Sequence, residues 1–96
     1  MENALLWAIR SQNLGEVPVG SVIIHKGKEL CGSGNLVINN SDPTAHAEII
    51  TIRKASQILN TTFLTECDLF VTLEPCAMCA EAISLSRIRR LFFGSY

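Results

Sequence analysis

Ninety-six residues, 48% hydrophobic and 18% charged, have the composition of one small globular domain and exclude a disordered chain. A net charge of −1 lacks the basic excess of a general nucleic-acid binder, although Arg87, Arg89 and Arg90 leave a local basic contact open. No apolar run approaches the roughly 18 residues that span a bilayer, and Met1-Glu2-Asn3 lacks the basic start of a signal peptide, so the expectation is a cytoplasmic chain with no membrane role.

In chain order, Glu2 to Asn13 reads as a helix, with Ala4, Leu5, Leu6, Ala8, Ile9 and Gln12 as its inner stripe and Asn13 and Gly15 as its stop. Pro18 opens an extended segment, and the β-branched run Val19 to His25 suits a strand. Lys26-Gly27-Lys28 is a turn, and Glu29 to Asn35 returns as the partner of a hairpin. Gly32 and Gly34 near its end predict a bulge or a close backbone approach. A polar loop then leads to a second helix, with Asp42 as its expected N-cap, Pro43 at its first position and its end near Leu59.

Phe63 and Leu64 anchor the next connection, and Asp68 to Leu73 reads as a strand covered on both faces. Glu74-Pro75 opens a helix from Cys76 to about Ser86, and Arg89 to Gly94 is a last strand. A hairpin followed by alternating strands and helices defines an α/β layered sheet in a single domain over residues 1–96. The last two strands, joined by a helix, are expected to be parallel.

Four cysteines are present: Cys31, Cys67, Cys76 and Cys79. Two disulfides in a secreted domain would fit the even count. Without a leader, the Cys-x-x-Cys spacing favours metal or redox use of the close pair. Cys76 and Cys79 share one face of a helix N-terminus, where the helix dipole favours thiolate. His46 is the candidate third ligand, and no paired spacing makes His25, Cys31 or Cys67 a fourth. Zinc held by three side chains keeps a position for water, whose pKa it lowers.

Glu48, two residues beyond His46, is placed to move protons as general acid and base. Residues i and i+2 of a helix point apart, so both reach one site only if His46 stands at the very start of its helix. A redox dithiol and a structural zinc knuckle are the competing readings of the cysteine pair, and a solvated surface carboxylate is the competing reading of Glu48.

His46-Ala47-Glu48 with Pro75-Cys76-Ala77-Met78-Cys79 resembles the signature of the zinc-dependent nucleoside and nucleobase deaminases. Within that superfamily, five blocks are similar to the bacterial tRNA-specific adenosine deaminases. They are Glu16-Val17-Pro18-Val19-Gly20, Asn35, Asp42 to Ile49, Leu73 to Ala80, and Ser86-Arg87-Ile88. The resemblance implies a cytidine deaminase-like three-layer α/β/α sandwich with a mixed sheet. It also implies hydrolysis of adenosine to inosine at the wobble position of a tRNA anticodon stem-loop. On that pattern His46, Cys76 and Cys79 bind one Zn2+ per chain and Glu48 shuttles protons. Asn35 bonds the flipped nucleoside, the Ala47 backbone meets the base edge, and Val19 lines the pocket. The family is homodimeric.

Glu81 and Leu85 depart from the family pattern, which has small and polar residues there. The family also continues with a further strand and helices, including a basic C-terminal helix, beyond the point where this sequence stops at Tyr96. Leu91-Phe92-Phe93 is then expected as an open edge. The alternatives are a deaminase of free cytosine, guanine or a nucleoside, and a non-catalytic zinc-binding subunit.

Overall fold

The computed structural model describes residues 1–94, so the expected stop at Tyr96 lies outside the described residues. The elements are α1 (Glu2–Asn13), β1 (Gly20–His25), β2 (Lys28–Gly34), α2 (Ala47–Leu59), β3 (Cys67–Val71), α3 (Ala77–Ser86) and β4 (Arg90–Phe93). Their order matches the expectation. The strands form one sheet in the order β2-β1-β3-β4. β1 pairs antiparallel with β2 and with β3, and β3 pairs parallel with β4.

The hairpin turn closes in two residues, Lys26 and Gly27, with φ of 51° and 81°. Two successive positive φ values match the right-handed twist of the flanking strands. Along β1 the side chains alternate between faces. Ser21 and Ile23 look toward α2, where Ile23 packs with Ala55, Leu64, Cys67, Leu69 and Ile83 in the main core. Gly20 looks toward α1. The sheet is therefore the middle of three layers, with α1 on one face and α2 and α3 on the other.

The inner stripe of α1 differs from the expectation. Its buried residues are Ala4, Ala8 and Ser11, while Leu6 and Ile9 are exposed. The glycines explain the difference. A Cβ on Gly20 would stand 2.5 Å from the Ala8 nitrogen, and one on Gly34 would stand 2.6 Å from the Trp7 carbonyl oxygen. The helix lies backbone-close on the hairpin, and only small side chains fit between. Gly32 and Gly34 thus mark a close approach. The bulge sits elsewhere, where the register slips between Ile23 and Ile24.

At the start of β3 the buried Asp68 carboxylate accepts hydrogen bonds from Arg89 (3.0 and 2.9 Å) and from Arg90 (3.4 and 3.1 Å). The Arg87 guanidinium lies 4.4 Å from the centre of the Phe63 ring. The basic run is thus engaged within the fold. Among the described residues β4 is an open sheet edge, with Phe92 and Phe93 exposed and Phe92 stacked on Phe70 at 4.7 Å.

Candidate metal centre and substrate pocket

The second helix begins four residues later than an N-cap at Asp42 would place it. Its N-cap is His46, with ψ of 153°, and its first residue is Ala47. Asp42 instead closes a short turn on Thr44, accepting from the Thr44 amide (2.9 Å) and hydroxyl (2.7 Å). An aspartate that bonds two residues ahead in this way shapes a loop rather than a helix end. The Thr44 hydroxyl and amide hold the Asp42 carboxyl below its ordinary pKa.

The third helix starts in the same manner. Cys76 is its N-cap, with ψ of 174°, and Ala77 is its first residue. Both N-cap carbonyls accept the first bond of their helix, from Ile50 (3.1 Å) and from Ala80 (2.8 Å). Two helix N-termini therefore open toward one spot, beyond the C-terminal end of β3. Open α/β sheets hold ligands at such ends.

His46, Cys76 and Cys79 meet there, with one donor atom from each lying within 4.8 Å of the others. His46 Nδ1 is 3.6 Å from Cys76 Sγ and 3.5 Å from Cys79 Sγ. Tetrahedral zinc, with bonds of about 2.3 Å to sulfur and about 2.0 to 2.1 Å to nitrogen, sets nitrogen and sulfur about 3.6 Å apart. The trio fits that ion. Burial pushes the Cys79 thiol up, and the neighbouring Glu48 and Cys76 push it further, so a cation is what would favour its thiolate.

His46 and Cys76 of the trio line a cavity of about 480 Å³, a volume in the range of small-molecule sites. Glu48 is buried and lines the cavity beside His46 and Cys76. With His46 outside the helix and Glu48 at its second position, the two side chains reach one cavity without the conflict that helical spacing imposes. Val19 and Asn35 line the cavity too. Asn35 is held by three bonds: its amide donates to Val19 O (3.0 Å), its carbonyl accepts from the Ser11 hydroxyl (2.9 Å), and its Oδ1 accepts from the Ala47 amide (2.7 Å). With that oxygen committed, the NH2 end of the carboxamide is the end free to donate. The Ala47 amide is engaged by Asn35, and Ala47 is fully buried.

Glu16 stands in one of the blocks that resemble the family, and sequence reasoning gave it no role. It is buried, it lines the cavity, and it accepts from the amides of Ile38 (3.2 Å) and Asn39 (2.7 Å) and from Asn39 Nδ2 (2.7 Å). Burial works to raise its pKa, and the Asn39, Ile38 and Val37 donors outweigh burial and leave it lowered. Its signal was its place as the one charged residue of the block Glu16-Val17-Pro18-Val19-Gly20. Glu74 lines the cavity at an exposed position. His25, Cys31 and Cys67 stand apart from the trio among the described residues. His25 pairs with Glu66 at 3.7 Å, Cys31 donates to Thr51 O, and Cys67 is core.

A trio able to hold a metal ion, with a buried carboxylate beside it in a pocket, thus sits on an α/β/α sandwich. The family model for the cytidine and deoxycytidylate deaminase zinc-binding region matches residues 1–95. The chain belongs to that family. It is 49% identical over 96 residues to the tRNA-specific adenosine deaminase of Haemophilus influenzae, covering 99% of this chain and 56% of the relative. With that of Aquifex aeolicus it shares 47% over 92 residues, covering 96% and 61%.

A solved structure from studies of A-to-I editing by tRNA:A34 deaminases at the wobble position superposes with a TM-score of 0.97 at 48% identity, covering 99% of this chain and 69% of that one. The guanine deaminase of Bacillus subtilis gives a TM-score of 0.94 at 37% identity, covering 98% and 60%. The chain spans 56% and 61% of the length of the two curated relatives.

Proposed function

We propose that this chain carries the catalytic centre of a tRNA adenosine deaminase, converting adenosine to inosine at the wobble position of an anticodon stem-loop. The observation that carries the reading is the buried Glu48 lining one cavity with His46 and Cys76, two members of the trio that Cys79 completes. The choice of adenosine in tRNA rests on the relatives at 47 to 49% identity.

His46, Cys76 and Cys79 would hold zinc, which supplies acidity to a water. The reaction adds water across the N1=C6 double bond of adenine, and the C6–amino bond then breaks to release ammonia. Glu48 moves two protons in turn, one from the water to N1 of the purine ring and one from the hydroxyl added at C6 to the departing amine. Asn35 donates from its carboxamide NH2 to the nucleoside, and Val19 packs against it. With its amide given to Asn35, Ala47 acts by fixing Asn35 rather than by donating to the base. We also assign the protein to the cytoplasm and to a homodimer, by analogy with the family.

The test is inosine formation in an anticodon stem-loop by the zinc-loaded chain, with Glu48→Ala alongside. Turnover should fall by about 10³-fold or more in the variant. Equal activity of the two would overturn the role of Glu48. Turnover of guanine but not of the stem-loop would move the assignment to free purines, which the likeness to the Bacillus subtilis enzyme favours.

A further inference from the structure

Across the cavity from the metal trio, the wall is built from two irregular segments. Residues 14–19 follow α1, and residues 35–46 join β2 to α2. Neither has a sheet or a helix ladder to hold it. Apart from the Asn35 amide on Val19 O, what joins them is one side chain on each. Glu16 takes the Ile38 and Asn39 amides and the Asn39 carboxamide. Asn39 Nδ2 also donates to Leu14 O at 3.2 Å, an unsatisfied carbonyl at the end of α1. The neighbours of these two residues form the mouth: Val17 is 62% exposed and Ile38 is 72% exposed, and both line the cavity. Glu16 is thus a buried carboxylate satisfied by neutral donors. That arrangement suits a fixed strut, since charge-assisted bonds are both short and directional.

We propose that Glu16 is a positioning residue for substrate capture, its carboxylate pinning the 36–40 loop to the end of α1 so that Val17 and Ile38 hold the pocket mouth at the width of a nucleoside. The inference rests on the deaminase reading above. The 36–40 loop leads on through Leu36, whose amide bonds Ala45 O at 3.0 Å, to His46. The strut acts on the mouth, and the metal trio keeps its own anchors in α2 and α3.

Glu16→Gln preserves shape and leaves one oxygen, while its new NH2 meets donors where an acceptor stood. Asn39→Ala removes the reciprocal partner from an exposed position. Both variants and their double are measured on the zinc-loaded full chain with an anticodon stem-loop. KM should rise roughly 10-fold, with kcat within about threefold and zinc content unchanged. Amide exchange at Ile38 and Asn39 should quicken in Glu16→Gln, and the double variant should be no worse than the weaker single.

Unchanged KM would overturn the proposal, as would a joint fall in kcat and zinc content. If Glu16→Gln does not fold, Asn39→Ala carries the same KM test. If the wild type deaminates neither the stem-loop nor free purines, the proposed function fails. The strut is then judged on exchange alone, and protected Ile38 and Asn39 amides in Glu16→Gln overturn it.

Discussion

Gly20→Ala should unseat α1 from the sheet. A Cβ at this position would collide with the Ala4 carbonyl oxygen, stand 2.5 Å from the Ala8 nitrogen and 2.9 Å from Trp7 Cβ, where real Cβ contacts essentially never fall below 3.0 Å. Two of the three obstacles are helix backbone, which no rotamer change can move. α1 must therefore retreat by at least half an ångström at Ala8, and further at Ala4. Overpacking of a filled core costs about 1 to 3 kcal/mol, and a rigid obstacle places this site near about 3.

For a domain of this length, each kcal/mol moves Tm by about 4 to 8 °C, so a fall of roughly 12 to 24 °C is expected. Thermal melts followed by far-ultraviolet circular dichroism, at fixed zinc, measure it. Gly27→Ala is the control. Its Cβ meets nothing within 4 Å, and its cost is only the positive φ of 81°, about 1 kcal/mol. If Gly20→Ala melts no lower than Gly27→Ala, backbone-close packing of α1 is refuted.

Three further outcomes follow from the same geometry. The bonds from Arg89 and then Arg90 hold the Asp68 carboxyl down at about 2 against an ordinary 3.8, although burial opposes them. A depressed pKa stabilises the fold above about pH 4 and loses that contribution as pH falls toward 2. With both guanidiniums half-exposed, solvent screening limits the effect to about 1 kcal/mol, and the gap in Tm between wild type and Asp68→Asn should close over that window. Ser21 and Thr51 share a buried 2.7 Å hydroxyl bond, so Thr51→Val should cost about 1 to 3 kcal/mol in urea unfolding, and adding Ser21→Ala should recover most of it. Removing zinc with a chelator should lower Tm in the wild type and in Cys67→Ser, but leave Cys79→Ser unmoved.

Element order was readable because each local signal agreed with its neighbours. The β-branched run at Val22-Ile23-Ile24, the glycine turn at Gly27 and the proline before each metal-site helix all point one way. The failures share a cause. Leu6 and Ile9 look like an inner face when hydrophobicity alone is counted, but distance of approach decided which residues of α1 went inside. That distance is written in Gly20 and Gly34, on other elements. Asp42 carries a good N-cap signal, and its carboxylate satisfied a nearer donor, Thr44. Arg87, Arg89 and Arg90 read as a free basic cluster because their partners, Asp68 and Phe63, lie about 20 residues upstream. The metal trio was legible because its ligand types and spacing are constrained by the ion itself.

The late start of α2 is what lets the site exist. A helix beginning at Pro43 would have carried His46 and Glu48 on its body, pointing apart. Beginning at Ala47, it leaves His46 on extended backbone and puts Glu48 in its first turn. The same device at Cys76 leaves one thiol outside α3 and one, Cys79, on its third position. Each helix start needs its unpaired amides satisfied, and neither N-cap side chain does so. Asn35 supplies an acceptor to Ala47 from the far side of the cavity. The remaining amide dipoles of both helices add positive potential where two thiolates and a substrate-derived negative charge would sit. The cost of leaving His46 and Cys76 uncapped is thus offset at the site itself, by an arrangement that a well-capped helix at Asp42 would have abolished.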